Sequence, residues 1–236
     1  SATWMAEAIR QAISQELKLT ASAGVAPLKF LAKIASDQNK PNGIFVIPPE
    51  KVADFIHQLP LKKIPGVGKV TQEKLTQLGL QTCADIQQSD QALIYKTFGK
   101  FGQRLWAFSH GIDNRTIESN RPRKSIAVEN TLITPIDNLD EAKNIVSQQF
   151  ETLKQRLNRN CKDIPLSEFK KLGIKLKFDD FSQTTLERTM NGLTLVRFLT
   201  LLEQIWERRA KRKIRLIGLN VHLSNKKITH QLNLWE

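Results

Sequence analysis

Six residues, Ile64-Pro65-Gly66-Val67-Gly68-Lys69, have the types and spacing to do chemistry, and the chemistry they suit is holding a phosphate. Pro65 restricts the backbone as the chain comes into the turn. Gly66 and Gly68 can take positive φ and put no Cβ between their amides and an anion. Val70, Leu75 and Leu78 follow at helical spacing, so the turn feeds a helix N-terminus, where unpaired N–H groups and the helix dipole favour negative charge. Lys69 adds a formal positive charge. The plainer alternative is an ordinary helix–helix turn closed by glycine.

Other reactive side chains offer less. Asp179 and Asp180 are adjacent, but neighbours on a strand face opposite sides and do not readily chelate one ion, so turn polarity is the expectation. His57, His110, His222 and His230 lack ligand spacing, and Cys83 and Cys161 form no Cys-x-x-Cys pair, which excludes a zinc site and a disulfide framework. No residue of the chain is assigned as catalytic or as a metal ligand.

The elements that must position the glycine turn are helical. From Pro49 to Gly111 short apolar-faced helices are broken at Gly79, Gly99, Gly102 and Gly111, which predicts a small all-helical domain. Before it, an amphipathic helix carries Trp4, Ala8, Ile9, Ala12, Ile13 and Leu17 on a face expected to be buried. A strand over residues 19–25, a helix starting at Pro27 with Phe30, Leu31 and Ile34, and a strand over residues 44–47 follow. A buried face so near Ser1, and too few strands for a stable sheet, lead to the expectation that the chain is part of something longer.

The 236 residues carry a net charge of +13, with a sequence pI near 9.9, which points to a polyanionic partner. Ser1 to Asn120 hold 14 Lys and Arg against 10 Asp and Glu, and residues 121–229 hold 22 against 12, so the second half is the electrostatic half. No apolar run reaches the roughly 18 residues of a membrane span, and no signal-peptide pattern is present. A reducing cytoplasm fits the two cysteines.

That second half reads βαββαβ: strands over 125–134, 172–181, 183–190 and 213–223, and two helices able to cover one sheet face. Ile174, Leu176 and Phe178 point to the helices, so Lys175 and Lys177 point away. Ile214 and Leu216 place Arg215 on the open side, with a parity flip expected after Gly218, as a bulge produces. Beside this basic row lie the small residues Ser125 and Ala127, and Arg121, Arg123 and Lys124 precede them. Such a flat basic face suits a sugar-phosphate backbone better than base readout.

The glycine turn with its leucine-bearing helix resembles the helix-hairpin-helix element, which holds DNA without reading sequence. Further motifs stand before and after it in order: Ala21-Ser22-Ala23-Gly24-Val25-Ala26, Lys29 to Asp37 and Asn39-Lys40-Pro41-Asn42-Gly43 before the turn, and Arg123-Lys124-Ser125 and Gly173-Ile174-Lys175-Leu176-Lys177-Phe178-Asp179-Asp180-Phe181 after it. Together they resemble the C-terminal two thirds of a bacterial Y-family translesion polymerase of the DNA polymerase IV type. The resemblance implies an α+β chain in five parts: the end of a palm (1–48), a helical thumb (49–111), a basic linker (112–124), a little finger (125–223) and a tail (224–236).

It also implies an error-prone, template-directed DNA polymerase acting with two Mg²⁺ ions. The carboxylates that hold those ions lie in a first palm strand and a Ser-Leu-Asp-Glu-Ala segment, neither of which is in this sequence, so this chain alone is expected to be inactive. Primer–template DNA is the implied partner, gripped by Gly66, Val67, Gly68, Lys69, Arg121, Arg123, Lys124, Ser125, Lys175, Lys177 and Arg215. Lys40 is the position that meets the incoming deoxynucleoside triphosphate. The tail resembles a sliding-clamp-binding peptide through Gln231, Leu232, Leu234 and Trp235. A monomer without a membrane partner is expected. A second reading is a non-enzymatic helix-hairpin-helix accessory module of repair or recombination.

Overall fold

Ser1 caps the first helix, α1 (Ala2–Leu17), its Oγ accepting the Trp4 amide at 3.3 Å. In this computed structural model, which describes residues 1–161, 165–169 and 171–223, α1 lies against two short parallel strands, β1 (Ala23–Val25) and β2 (Ile44–Val46). Both are shorter than their apolar runs suggested. The expected buried face of α1 is not formed: Trp4, Ile9 and Leu17 are each more than half exposed. Three-residue strands are too narrow to cover it. The helix α2 (Lys29–Ala35) begins two residues after Pro27, with Leu28 as its cap, and buries Phe30, Leu31, Ile34 and Ala35.

Residues 49–111 are helical, as their periodicity predicts: α3 (Val52–His57), α4 (Lys69–Gln77), α5 (Cys83–Gln87) and α6 (Gln91–Ser109), with 3₁₀ turns before α3 and α4. Leu59, Leu61, Ile64, Leu75, Ile86, Ile94 and Leu105 form the core they share with α2. Gly99, at φ 57°, kinks α6. Gly102 is no joint; it lies within α6, where a Cβ would stand 2.4 Å from the Ile94 carbonyl oxygen, so it serves close packing. Helical spacing places Val70 and Leu78 on the apolar face with Leu75, yet both are exposed and only Leu75 of the three is buried.

Asp113 ties this group to α2. Its carboxylate accepts the Phe30 amide at 3.0 Å, capping a helix whose own N-cap residue has no polar side chain, and binds Arg115 through two contacts at 2.6 and 2.7 Å. Arg115 lies over the Phe108 ring, which stacks on Phe30 at 4.3 Å. The Arg115 guanidinium, ahead of the Phe30 amide, holds the Asp113 carboxyl below the usual carboxylate range.

These elements make one compact unit, Ser1–Ile117; a second begins at Glu118 and has its own core. Its order is β3 (Ser125–Ile136), α7 (Leu139–Asn160), β4 (Lys171–Phe178), β5 (Gln183–Thr189), α8 (Leu195–Trp206) and β6 (Ile214–His222). The βαββαβ pattern folds into an antiparallel sheet of order β3-β6-β4-β5. Both helices pack on one face, where Val146, Leu153, Phe198 and Leu202 meet Ile174, Leu176, Ile217 and Leu219. Each such buried side chain contributes about 1.5–3 kcal/mol relative to exposure.

The bulge in β6 lies earlier than expected. Leu216 pairs with Lys177 and Ile214 with Phe178, so Arg215 is the extra residue. Ile217, Leu219 and Val221 then face the helices, and Leu216, Gly218, Asn220 and His222 share the open side. The parity flip precedes Gly218 because the ladder slips at Arg215.

Candidate nucleic-acid interface

In the first unit, the glycine turn presents the backbone. Gly66 takes φ 106°, and a Cβ there would come within 2.6 Å of the Phe101 ring, so glycine is required both by conformation and by the ring packed against it. Gly68 departs from expectation: at φ −95° and ψ −178° it is extended, and it caps α4 without a side chain. Its Cβ position is open space. The Val67 amide donates to the Ile64 carbonyl at 3.0 Å, closing the turn. The amides of Gly68, Lys69 and Val70 have no acceptor among the described residues, as the first turn of a helix leaves them. They belong to exposed residues, and Lys69 adds its charge to them. This arrangement can bind one phosphate through backbone N–H groups and a single cation.

In the second unit, the open sheet face combines cations with carboxylates. Lys175 and Lys177 point away from the helices, as their alternation predicts. Lys175 Nζ, however, lies 2.5 Å from Glu129 Oε2, and Glu187 binds Lys171 at 2.7 Å and His222 at 2.9 Å. The expected flat basic face is therefore of mixed charge. Lys171, ahead of His222, pulls the Glu187 carboxyl down to about 2. Between these pairs lies a hollow of about 340 Å³ bordered by Ser125, Ala127, Glu129, Lys175 and Asn220. Asn220 fills the space over Gly173, and its Oδ1 is buried without a partner. Lys177 and Arg215 are at the other end of the face, near the turn after β4.

Comparison with known proteins follows these divisions. A family model described as "DNA polymerase-iota, thumb domain" matches residues 62–113, and models of the "impB/mucB/samB family" and its C-terminal domain match residues 2–37 and 123–234. The chain is 70% identical to the DNA polymerase IV of Glaesserella parasuis serovar 5, aligned over all of this chain and 66% of that protein. It is 56% identical to the DNA polymerase IV of Pasteurella multocida, over all of this chain and 67% of that protein. The chain belongs to the DNA polymerase IV family. It spans about two thirds of the length of the curated relatives it matches. Among solved structures, a Y-family polymerase chimera of Dbh and Dpo4 aligns with a TM-score of 0.74 at 27% identity, covering 94% of this chain and 63% of that one. An insertion ternary complex of Dbh DNA polymerase aligns with a TM-score of 0.56 at 26% identity and the same coverage.

The remaining residues singled out from the sequence are spread over the chain. Lys40 extends from the turn between α2 and β2 and pairs with Asp37, which also binds Lys33 at 2.5 Å. Lys33 and then Lys40 hold the Asp37 carboxyl down at about 2. Arg10, on α1, anchors this turn by donating to Asn42 and to the Ala21 carbonyl, a role its sequence did not reveal. Arg121 makes a loose 3.6 Å pair with Glu118, while Arg123, Lys124 and Ser125 are exposed at the start of β3. Asp180 accepts the Ser182 amide and hydroxyl and pairs with Arg212, so it is a turn residue. Gln231, Leu232, Leu234 and Trp235 lie outside the described residues.

Glu129 and Glu187 also line the open face, as does Gly218, which the sequence marks only as the point of a parity flip. Glu129 was visible in principle, because it continues the alternation of Ser125 and Ala127. Its meeting with Lys175 depends on the strand order, which alternation does not contain.

Proposed function

We propose that this chain is the DNA-holding part of an error-prone, template-directed polymerase that extends primers past damaged bases. The observation that carries the reading is the set of unpaired amides on the exposed residues Gly68, Lys69 and Val70, with the Lys69 charge, on a chain of the DNA polymerase IV family. The open sheet face supports it with Lys175, Lys177 and Arg215. In this scheme residues 1–48 complete a palm, 49–111 form the thumb, 112–124 link it to a little finger at 125–223, and 224–236 form a tail. Backbone amides and flexible cations hold phosphates irrespective of sequence, which a polymerase copying any template requires.

The chemistry of the whole protein is two-metal nucleotidyl transfer, with Mg²⁺ as the ion. Among the described residues no three His, Cys, Asp or Glu side chains converge to hold a metal ion. The residues present do not fit that role, and no catalytic step is assigned to this chain. Lys40 is the proposed contact with the triphosphate of an incoming deoxynucleotide, and Gln231, Leu232, Leu234 and Trp235 are the proposed contact with a sliding clamp. A closed clamp would turn each re-encounter with DNA into an intramolecular event. No helix among the described residues is long and apolar enough to cross a membrane. The protein is proposed to be a monomer, and a cytoplasmic location accords with the two free cysteines.

Binding of labelled primer–template DNA and primer extension with Mg²⁺ test the reading together. Binding without extension is expected; extension by the pure chain, or no binding, would overturn it. For the clamp contact, deletion of residues 231–236 should weaken calorimetric clamp affinity at least about tenfold and leave DNA affinity unchanged. Equal clamp affinity with and without the tail would sink that part alone.

A further inference from the structure

We propose that Phe181 is a stacking platform for an unpaired nucleobase, with Lys177 and Arg215 taking the phosphates on either side of it. This rests on the DNA-holding reading above and adds to it a ligand of different chemistry, a single strand where the other contacts grip backbone.

Phe181 stands in the turn between β4 and β5, 61% exposed, at φ 64°. One exposed apolar residue is ordinary. A phenylalanine in the left-handed region is not, since a bulky side chain is strained there and Gly, Asn or Asp would adopt the same turn freely. The turn is also held firmly. The Phe178 amide donates to the Ser182 carbonyl at 2.9 Å and the Phe181 amide to the Phe178 carbonyl at 3.0 Å. Arg212 lies 4.0 Å over the Phe178 ring and donates to Ser182 Oγ at 2.7 Å. The ring is thus presented from a fixed base.

Two cations attend it. Lys177 Nζ lies 5.1 Å and Arg215 Cζ 4.8 Å from the Phe181 ring centroid. Arg215 reaches this position as the bulged residue of β6, so the irregularity in the ladder and the strained turn serve the same spot. An exposed aromatic ring with cations over it has the parts by which single-stranded nucleic acid is held: a base that takes a cation's place lays its π face on the ring, and the displaced cation meets the adjoining phosphate. Bases inside a duplex already stack on one another and cannot use the ring. The ligand is therefore an unpaired base, as in a template overhang, and its identity matters little.

The test compares affinities of the wild type, Phe181→Ala, Phe181→Leu and Phe181→Trp for a short blunt duplex and for the same duplex with a 5′ single-stranded overhang. Leu keeps the apolar bulk without the aromatic face, and Trp enlarges that face, so the comparison stands even if Ala unfolds. Melting curves check the fold of each. The expected result is that Ala and Leu weaken overhang binding at least about fivefold, Trp restores it, and blunt-duplex affinity is the same for all four. Leu equal to wild type on the overhang, or equal losses on both duplexes, would overturn the proposal. Wild-type binding to a single strand that depends on Phe181, without binding to the blunt duplex, would keep this inference and overturn the duplex-holding reading.

Discussion

Lys175 and Glu129 stand on strands that are not neighbours, β4 and β3, and meet over Gly218 of the intervening β6, with Nζ 2.5 Å from Oε2. Gly218 pairs with both residues, and its lack of a side chain opens the path between them; a Cβ there would stand 3.0 Å from Glu129 Cβ. The pair is partly exposed, and such pairs contribute about 0–1 kcal/mol. A phosphate can therefore displace the carboxylate. With Lys175 gripping DNA as proposed, Glu129 competes for its ammonium, and Glu129→Gln should raise affinity for a duplex about two- to fivefold. Fluorescence anisotropy at several salt concentrations checks this, with a log–log slope steeper by up to about 0.9. An unchanged or weaker affinity would show that Lys175 does not contact phosphate.

The two glycines of the turn separate folding from binding. Gly66→Ala places a Cβ against the Phe101 ring at positive φ, and should lower stability by about 1–3 kcal/mol. Gly68→Ala meets open space in an allowed conformation, and should cost under about 1 kcal/mol as a poorer helix cap. Its methyl nonetheless stands at the mouth of the unpaired amides. Reduced DNA affinity in Gly68→Ala at near-normal melting temperature is the expected result. Undiminished binding would remove this turn from the interface.

Glu187 makes the second unit sensitive to acid. Its folded-state pKa of about 2 lies below the ordinary 4.5 because Lys171 and His222 bond its ionised form. For a depressed carboxylate, the stabilisation is fully present above the unfolded pKa and is lost as pH falls through the folded one. The window runs from pH about 4.5 to about 2. Glu187→Gln should flatten the fall in stability across that window, measured by urea unfolding of each protein at stepped pH. Parallel curves would show that the bonds to Lys171 and His222 give Glu187 no folding linkage.

Asp113 is the corresponding device in the first unit. It caps α2 from a distant part of the chain and is nearly inaccessible behind Arg115. Asp113→Ala leaves the Phe30 amide and the guanidinium without their partner, and should destabilise the unit by about 1–3 kcal/mol. Urea unfolding measures the loss; a change below about 0.5 kcal/mol, the range of ordinary surface substitutions, would count against the role.

Much of this architecture is legible in the sequence where one physical signal dominates. Ile174, Leu176 and Phe178 alternate without interruption, so their facing followed directly, and the glycine turn announced α4. The run Ile214-Arg215-Leu216-Ile217-Gly218-Leu219 has apolar residues of both parities, so only the pairing with β4 reveals that Arg215 is the bulge. Val70 carries an apolar side chain that the mouth of the turn leaves exposed, which helical spacing cannot distinguish from a core position. The apolar face of α1 has the same ambiguity on a larger scale. Contacts that cross strand order or long chain separations, such as Glu129 with Lys175 and Asp113 with Phe30, have no local signal.

In the proposed mode this chain grips the phosphate backbone of DNA and does not read its bases. The most direct measurement is the salt dependence of affinity for two primer–template duplexes of unrelated sequence, in the wild type and in the double variant Lys175→Glu, Arg215→Glu. The expected result is equal affinities for the two sequences, a linear fall of log affinity with log salt, and a double variant weaker on both by the same factor. Its slope should be lower by about 0.9 for each lost phosphate contact. A strong preference of the wild type for one sequence, lost in the double variant, would contradict it.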